Sequence, residues 1–152
     1  MAAILGGDLV ADGSVPYEHG RVAFRDFGGQ GPAVVLVHGL GGNLAHWERV
    51  APLLQERYRL IAIDLPSHGA STAPAIYSFD HDLGAVDEVR QRLRLDRPAL
   101  VGHSYGGMLA VSLGQVARAT IAWSSMSTVS GSPWRPRRSR SHTRRSCRRG
   151  AR

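Results

Sequence analysis

The segment Gly102-His103-Ser104-Tyr105-Gly106 gives the most information in this sequence about its fold and its chemistry. It matches the pattern G-x-S-x-G, directly after an apolar run at residues 98–101 and directly before a segment with helical character. A serine between a strand and a helix needs a sharp turn with strained backbone angles, so small residues are required at positions 102 and 106. Such a turn raises the hydroxyl above the sheet and directs the helix N-terminus at it, which favours negative charge there. The pattern therefore predicts Ser104 as a nucleophile; the alternative is an ordinary glycine-rich turn with a capping serine.

Strand and helix patterns alternate before this turn and after it. Continuous apolar runs, typical of parallel strands covered on both faces, occupy residues 33–37, 59–64 and 98–102. Apolar residues at helical spacing predict three helices, over residues 44–56, 79–93 and 105–116, with a kink or early end of the first at Pro52. Two short strands are expected earlier, with a turn at Asp12-Gly13 and an edge strand ending at Gly28-Gly29. This order predicts an α/β fold with a mostly parallel sheet, whose functional residues lie in the loops after the strands.

A second glycine-rich loop, His38-Gly39-Leu40-Gly41-Gly42, follows the first parallel strand. Successive glycines let the backbone turn so that an N–H points at a bound carbonyl oxygen. Together with the N–H of Tyr105, the N–H of Leu40 would form an oxyanion hole. A phosphate-binding loop is the alternative, but the Lys-Ser/Thr pair of a P-loop and the pattern G-x-G-x-x-G are both absent from it.

Four motifs in order resemble the α/β-hydrolase superfamily. They are Phe27-Gly28-Gly29-Gln30-Gly31-Pro32, then His38-Gly39-Leu40-Gly41-Gly42, then Asp64-Leu65-Pro66-Ser67-His68-Gly69-Ala70-Ser71, then Val101-Gly102-His103-Ser104-Tyr105-Gly106-Gly107. The likeness covers about residues 17–116 and is greatest to the small esterase, perhydrolase-like and carbon–carbon hydrolase members. Ser67 is a departure, since the loop of the family usually reads D-x-P-G-x-G-x-S, and we expect only a small change of backbone there.

The resemblance implies an incomplete α/β-hydrolase core and a Ser–His–acid triad in which Ser104 is the nucleophile. A serine at this position argues against the haloalkane dehalogenase and epoxide hydrolase branches, which the resemblance associates with a carboxylate nucleophile. It implies a small carboxylic ester or a related acyl compound as substrate, with no cofactor and no metal. In the family the acid and the histidine come after later strands.

No base or acid for this triad can be assigned from the sequence. His38 is expected to be a structural hydrogen-bonding residue, His68 to line the cleft or to be a solvated loop residue, and the side chain of His103 to point away from Ser104. The remaining histidines and the carboxylates considered by default are His19, His46, His81, His142, Asp64 and Asp82. Because triad residues act as a unit, a chain without base and acid is expected to be inactive or weakly active.

The C-terminal part departs from the pattern of a hydrolase. After about Gly114 the expected next strand does not arrive, because residues 121–123 form only a brief apolar run and residues 124–132 are polar. The expected domains are therefore a partial hydrolase domain at residues 1–118 and an atypical, disordered Arg/Ser/Pro-rich tail at residues 119–152. A sheet that ends after the nucleophile strand has an exposed edge through which self-association is expected.

A change of reading frame would explain this tail. If each codon is read from its old third base, residues 121–127 are compatible with the string Arg–Leu–Val–Val–Asp–Val, which looks like the next core strand of the family. We hypothesise that the tail is an out-of-frame extension of a truncated hydrolase, and the nucleotide sequence tests this directly. A fragment completed by a second chain is the other interpretation.

Charge and cysteine content exclude several classes of protein. All 19 basic residues are arginine; 9 of them lie in residues 135–152, which hold no acid, while residues 1–134 carry 10 arginines and all 12 acids. A uniformly basic nucleic-acid-binding domain is thereby excluded, and polyanion binding by the tail is the alternative function. The single Cys147 excludes an internal disulfide and a Cys-rich zinc site. Since no run approaches the ~18 apolar residues of a membrane span and no basic region begins the chain, we expect a cytoplasmic protein with no membrane contact.

Overall fold

The computed structural model of the protein describes residues 10–117 and 120–124. Six strands form one sheet in the spatial order β1-β2-β4-β3-β5-β6. The strands are β1 Ala11–Tyr17, β2 Gly20–Asp26, β3 Ala33–Val37, β4 Arg59–Ile63, β5 Ala99–His103 and β6 Thr120–Ser124. The helices are α1 Phe79–Arg92 and α2 Tyr105–Ala117, with short 3₁₀ helices at Leu44–Trp47 and Ala51–Leu53. Strand β3 is parallel to β4 and β5, and β5 is parallel to β6, whereas β2 is antiparallel to β1 and β4, so the mostly parallel α/β sheet is confirmed.

The central strands are buried on both faces, as their uninterrupted apolar runs predict. Alternate side chains of a strand point to opposite faces of the sheet. Val35 and Ile61 pack in the cluster that includes α1 and α2, whereas Leu36 and Leu60 pack in a second cluster with Trp47 on the other face. All four strand residues are buried. This two-sided burial holds the ends of β3, β4 and β5, and hence the loops that follow them, in fixed positions.

The prediction of one helix over residues 44–56 is wrong. The segment instead forms two 3₁₀ helices, with the N–H of Val50 donating to the Trp47 carbonyl and the N–H of Leu53 donating to the Val50 carbonyl. Pro52 has no N–H to bond to residue 48, and its ring would collide with the carbonyl four residues earlier. A continuous α-helix therefore stops at this proline, whereas short 3₁₀ turns can include it.

The predicted turn and edge strand near the N-terminus are also wrong. Asp12-Gly13 lies inside β1, and the turn between β1 and β2 is at Glu18 and His19. A Cβ at Gly13 would stand 2.5 Å from the Phe24 ring, so a larger residue in the strand would require that ring to move. Strand β2 ends at Asp26 and lies between β1 and β4, so it is not an edge.

The sheet continues one strand beyond β5, contrary to the expectation from the sequence. Strand β6 pairs in parallel with β5 from Ala99↔Thr120 to His103↔Ser124. Parallel pairing uses backbone groups, so five residues suffice although the apolar run is brief. The end strands among the residues described are thus β1 and β6.

Residues 125–152 lie outside the described residues. The predictions that the tail is disordered, that it results from a frame change and that it binds polyanions concern these residues and stay predictions. In the parts of the chain that are described, no helix has both the length and the apolar character needed to cross a bilayer. Self-association through a sheet edge stays a prediction.

Candidate active site

Ser104 occupies a strained turn between the last residue of β5 and the first residue of α2. Its φ is +51°, a left-handed conformation that non-glycine residues adopt at an energetic cost. The residue is exposed, at the carboxyl end of a strand that is itself bonded between two parallel neighbours. The local geometry is therefore the strand–turn–helix elbow on which the prediction of a nucleophile depends.

The glycines on both sides of Ser104 are required by contacts with backbone. A Cβ at Gly102 would lie 2.1 Å from the Gly106 carbonyl oxygen, and a Cβ at Gly106 would lie 2.3 Å from the Val37 carbonyl oxygen. Real Cβ atoms do not approach backbone this closely, and backbone cannot move aside as a flexible side chain can. The backbone of the turn thus packs against its own carbonyl groups and against the end of β3. Small residues are therefore required at positions 102 and 106, as inferred from the sequence.

The loop after β3 lies beside the elbow. A Cβ at Gly39 would stand 2.9 Å from the His103 Nδ1 and 3.2 Å from the Ser104 Cβ. Within the described chain, the N–H groups of Leu40 and Tyr105 donate no hydrogen bond. Tyr105 begins α2, and the first amides of a helix have no partner inside it. Two available amides therefore belong to the loop and the turn that adjoin Ser104.

His38 has a structural role, as the sequence analysis expected. Its side chain is completely buried, its Nε2 accepts from the Leu65 N–H at 3.0 Å, and its Nδ1 donates to the Gly39 carbonyl at 2.7 Å. Burial lowers the pKa of His38 below its ordinary value of 6.5. The ring is therefore a neutral support that joins the ends of β3 and β4.

His68, predicted to line the cleft or to be a solvated loop residue, is half-buried and hydrogen-bonded through both ring nitrogens. Its Nδ1 is 2.9 Å from the Pro66 carbonyl oxygen and its Nε2 accepts from the Gly41 N–H at 3.1 Å. The ring centroid lies 4.9 Å from that of His38. His68 thus connects the loop after β4 with the glycine loop after β3, a contact that the sequence analysis missed.

Asp64 joins the same two loops through backbone amides. Its Oδ1 accepts from the Leu44 N–H at 2.7 Å and its Oδ2 accepts from the Ala70 N–H at 2.9 Å, and the residue is 2% exposed. With both oxygens bonded, this carboxylate has a structural role. Ser67, the departure from the family motif, adopts φ +64° in this loop, the left-handed region where a glycine would be unstrained.

Asp82 and Tyr105 connect the two helices beside the elbow. The Tyr105 hydroxyl donates to the Asp82 Oδ2 at 2.8 Å, and the Tyr105 ring packs edge-on against Phe79. Burial and the neighbouring Asp82 raise the pKa of Tyr105 to about 12, so the hydroxyl keeps its proton at neutral pH. Asp82, considered in the sequence only as a carboxylate by default, therefore holds the side chain of the residue that follows Ser104.

The other histidines are not placed as a base for Ser104. His81 Nε2 faces the Glu18 carboxylate at 3.1 Å, His46 lies beside Gly42, and His103 lies beside Gly39. Among residues 10–114, no histidine forms a hydrogen bond with Ser104. His142 lies outside the described residues. The described part of the chain thus presents a strained serine and a glycine loop with no bonded general base.

A groove of about 780 Å³ lies elsewhere, at the turn between β1 and β2. It is lined by this turn, by His81 and by the segment at residues 72–78, and Ser104 does not line it. The groove therefore does not include the candidate nucleophile, although Pro66, whose carbonyl contacts His68, also lines it.

Three features together define the hydrolase type of α/β core. They are a mostly parallel sheet, an exposed and strained serine after a central strand, and a glycine loop beside that serine. The sequence pattern of the alpha/beta hydrolase fold family matches residues 32–133, about two thirds of the chain. The chain belongs to the α/β-hydrolase fold family.

Similar proteins include enzymes of different specificity. The chain is 38% identical over 111 residues to a pimeloyl-[acyl-carrier protein] methyl ester esterase of Methylococcus capsulatus, covering 72% of this chain and 41% of that protein. It is 42% identical over 86 residues to a fluoroacetate dehalogenase of a Burkholderia species, covering 53% of this chain and 28% of that protein. The solved thioesterase domain from the curacin biosynthetic pathway superposes with a TM-score of 0.67 at 29% identity, covering 74% of this chain and 42% of that domain's chain. The chain thus spans less than half the length of each of these proteins.

Proposed function

We propose that the chain is the nucleophile-bearing part of a serine hydrolase that acts on a small carboxylic ester or a related acyl compound. The observation that carries the proposal is the exposed Ser104 at φ +51°, in a turn where a Cβ at Gly102 would lie 2.1 Å from backbone. A folded chain maintains such strain only where the surrounding structure enforces it, and such sites are concentrated at functional positions.

The proposed reaction begins when the Ser104 Oγ attacks the carbonyl carbon of the substrate. A general base takes the hydroxyl proton as the Oγ–C bond forms, and the carbonyl electron pair moves to oxygen. The N–H groups of Leu40 and Tyr105 donate to this oxyanion, and the N-terminus of α2 adds a favourable dipole. When the carbonyl re-forms, the alcohol leaves with a proton, and water then releases the acid from Ser104 by the same steps.

We expect the base and the acid of the proposed triad to lie outside residues 10–114. In that range no histidine is bonded to Ser104, and both oxygens of Asp64 are bonded to backbone amides. We therefore expect turnover by this chain to be absent or weak, because the residues of a triad act as a unit.

Acyl chemistry is favoured over dehalogenation by the residue at position 104. The similar proteins include an esterase and a thioesterase as well as a dehalogenase, so similarity alone does not separate these activities. A serine forms an acyl intermediate that water can hydrolyse, which is the chemistry of ester and thioester cleavage.

Labelling with a fluorophosphonate tests the proposal. We expect slow formation of one covalent adduct on Ser104, located by peptide mass spectrometry, and no adduct in Ser104→Ala. Ser67→Ala is the matched control, since Ser67 is also a serine in a left-handed conformation but is not part of the proposed reaction. An adduct that persists in Ser104→Ala contradicts the assignment of the nucleophile, and rapid Ser104-dependent turnover contradicts the missing base.

A further inference from the structure

The glycine loop after β3 is held by a single side chain at its tip. Gly41 is exposed, has φ +70°, and no atom would lie within 4 Å of a Cβ built on it. Packing at Gly41 itself therefore does not fix the tip, although the Gly42 N–H donates to the Gly39 carbonyl at 3.0 Å and closes the turn below it. The N–H of Gly41, however, donates to the His68 Nε2 at 3.1 Å.

The protonation state of His68 is determined by its other nitrogen. The Pro66 carbonyl, 2.9 Å from Nδ1, can only accept a hydrogen bond, so Nδ1 carries the proton. The Nε2 then has a lone pair with which it accepts from Gly41. The contact thus requires the neutral ring.

We propose that His68 is a positioning residue for the oxyanion hole: its neutral Nε2 holds Gly41 and thereby keeps the N–H of the adjacent Leu40 directed at the acyl oxygen above Ser104. The inference rests on the proposed function. The role requires an acceptor at this position, because a nitrogen that carries a proton is a donor and cannot accept from another N–H.

The groups around His68 do not supply a replacement acceptor for Gly41. His38, from the end of β3, uses its Nε2 to accept from Leu65, and the Asp64 carboxylate after β4 is bonded to two backbone amides. His46, from the first 3₁₀ helix, and His103, from the end of β5, lie beside Gly42 and Gly39. Loss of the His68 acceptor should therefore leave the Gly41 N–H to solvent and the Leu40–Gly41 peptide free to reorient, within a turn still closed by the bond from the Gly42 N–H to the Gly39 carbonyl.

The first arm of the test measures the hydrogen bond itself in the full-length chain. With uniform ¹⁵N labelling, we expect a coupling across the hydrogen bond between the Gly41 nitrogen and the His68 Nε2. Absence of the coupling at neutral pH overturns the proposal, whatever the activity of Ser104.

The second arm measures the rate at which a fluorophosphonate labels Ser104 at neutral pH. His68→Gln retains an acceptor near the position of Nε2 that does not titrate, whereas His68→Ala removes it. We expect His68→Ala to slow labelling about tenfold, less than the ~10²–10³ lost with a whole oxyanion donor. We expect His68→Gln to keep the neutral-pH rate, because its amide oxygen replaces the acceptor for the Gly41 N–H.

The two arms distinguish the possible failures. A coupling together with equal labelling of the unaltered chain and a folded His68→Ala overturns the positioning role. If His68→Ala does not fold, labelling of a folded His68→Gln about tenfold slower than that of the unaltered chain overturns it. A coupling without any labelling of Ser104 contradicts the proposed function, and the positioning role fails with it while the hydrogen bond stands.

Discussion

At the scale of single residues, Ser104 places its hydroxyl at the cost of backbone strain. The side chain needed for the proposed chemistry occupies a conformation that glycine adopts readily and other residues do not, with φ at +51°. Glycines around it are required for a different reason, namely close approach of backbone to backbone. These two requirements make separate predictions about stability.

The first prediction concerns the strain at Ser104. Ser104→Gly should raise the free energy of unfolding by roughly 0.5–1 kcal/mol relative to Ser104→Ala, because glycine removes a left-handed penalty of about 1–2 kcal/mol and adds a smaller entropic cost. Urea denaturation of the two variants measures the difference. Equal stability of the two variants would show that the turn is not strained.

The second prediction concerns Gly102. Gly102→Ala should destabilise the fold by about 3 kcal/mol or more, or prevent folding, because its Cβ would lie 2.1 Å from a backbone oxygen. Gly41→Ala is the matched control: its Cβ would meet no atom, so only the positive φ costs energy, about 1–2 kcal/mol. Thermal and urea denaturation of both variants test this order, and a Gly102→Ala variant as stable as Gly41→Ala would contradict the tight elbow.

The third prediction concerns pH and His38. Because burial lowers the pKa of His38 in the folded chain, the unfolded chain takes up the proton first as the pH falls. The contribution of His38 to stability is therefore complete above the ordinary pKa of 6.5 and is lost as the pH falls from there through the lower folded value. We expect His38→Gln to reduce the fall in unfolding free energy between about pH 7.5 and about pH 5, measured from urea denaturation midpoints at those two pH values. The control His19→Gln, at an exposed residue, should leave this fall unchanged.

At the scale of elements, the strands and α1 could be predicted because burial leaves a direct pattern in the sequence. The uninterrupted run Ala33–Val37 is covered on both faces, and Ser78 caps α1 as the apolar spacing from Phe79 indicates. The segment around Pro52 was mispredicted because apolar spacing is similar for an α-helix and for successive 3₁₀ turns. Asp12-Gly13 was mispredicted because the local turn preference is overridden by pairing with β2 and by the Phe24 ring.

Within the site, the sequence could predict what local motifs determine and not what distant residues do. The elbow and the glycine loop each lie within a few consecutive residues. The contacts from His68 to Gly41 and from Tyr105 to Asp82 join residues 27 and 23 positions apart. Only the arrangement of the strands brings these pairs together, so no local pattern indicates them.

The fourth prediction concerns the connection between α1 and α2. Tyr105→Phe removes the donor to Asp82 and leaves a buried carboxylate with fewer partners, so it should destabilise the fold by about 1–3 kcal/mol. Tyr77→Phe is the control, since the side chain of Tyr77 is 64% exposed. Chemical denaturation of both variants measures the difference, and equal effects would show that the Asp82 contact does not stabilise the elbow.

At the scale of the whole molecule, the chain carries one part of the proposed chemistry. The family match extends to residue 133, while the chain spans 41% of the similar methyl ester esterase. The described residues provide the serine, the adjacent amides and their supports. The proposal also requires a base and an acid, and the described residues show neither bonded to Ser104, so we expect turnover from a protein that joins this chain to the remainder of a similar hydrolase.

The most direct measurement uses a chimera of residues 1–117 with the C-terminal remainder of the Methylococcus capsulatus esterase. We expect the chimera to hydrolyse a chromogenic acetate ester, with a rate reduced by roughly 10⁴-fold or more in its Ser104→Ala variant. A folded chimera that hydrolyses the ester equally well with and without Ser104 would contradict the central claim that this serine is the nucleophile.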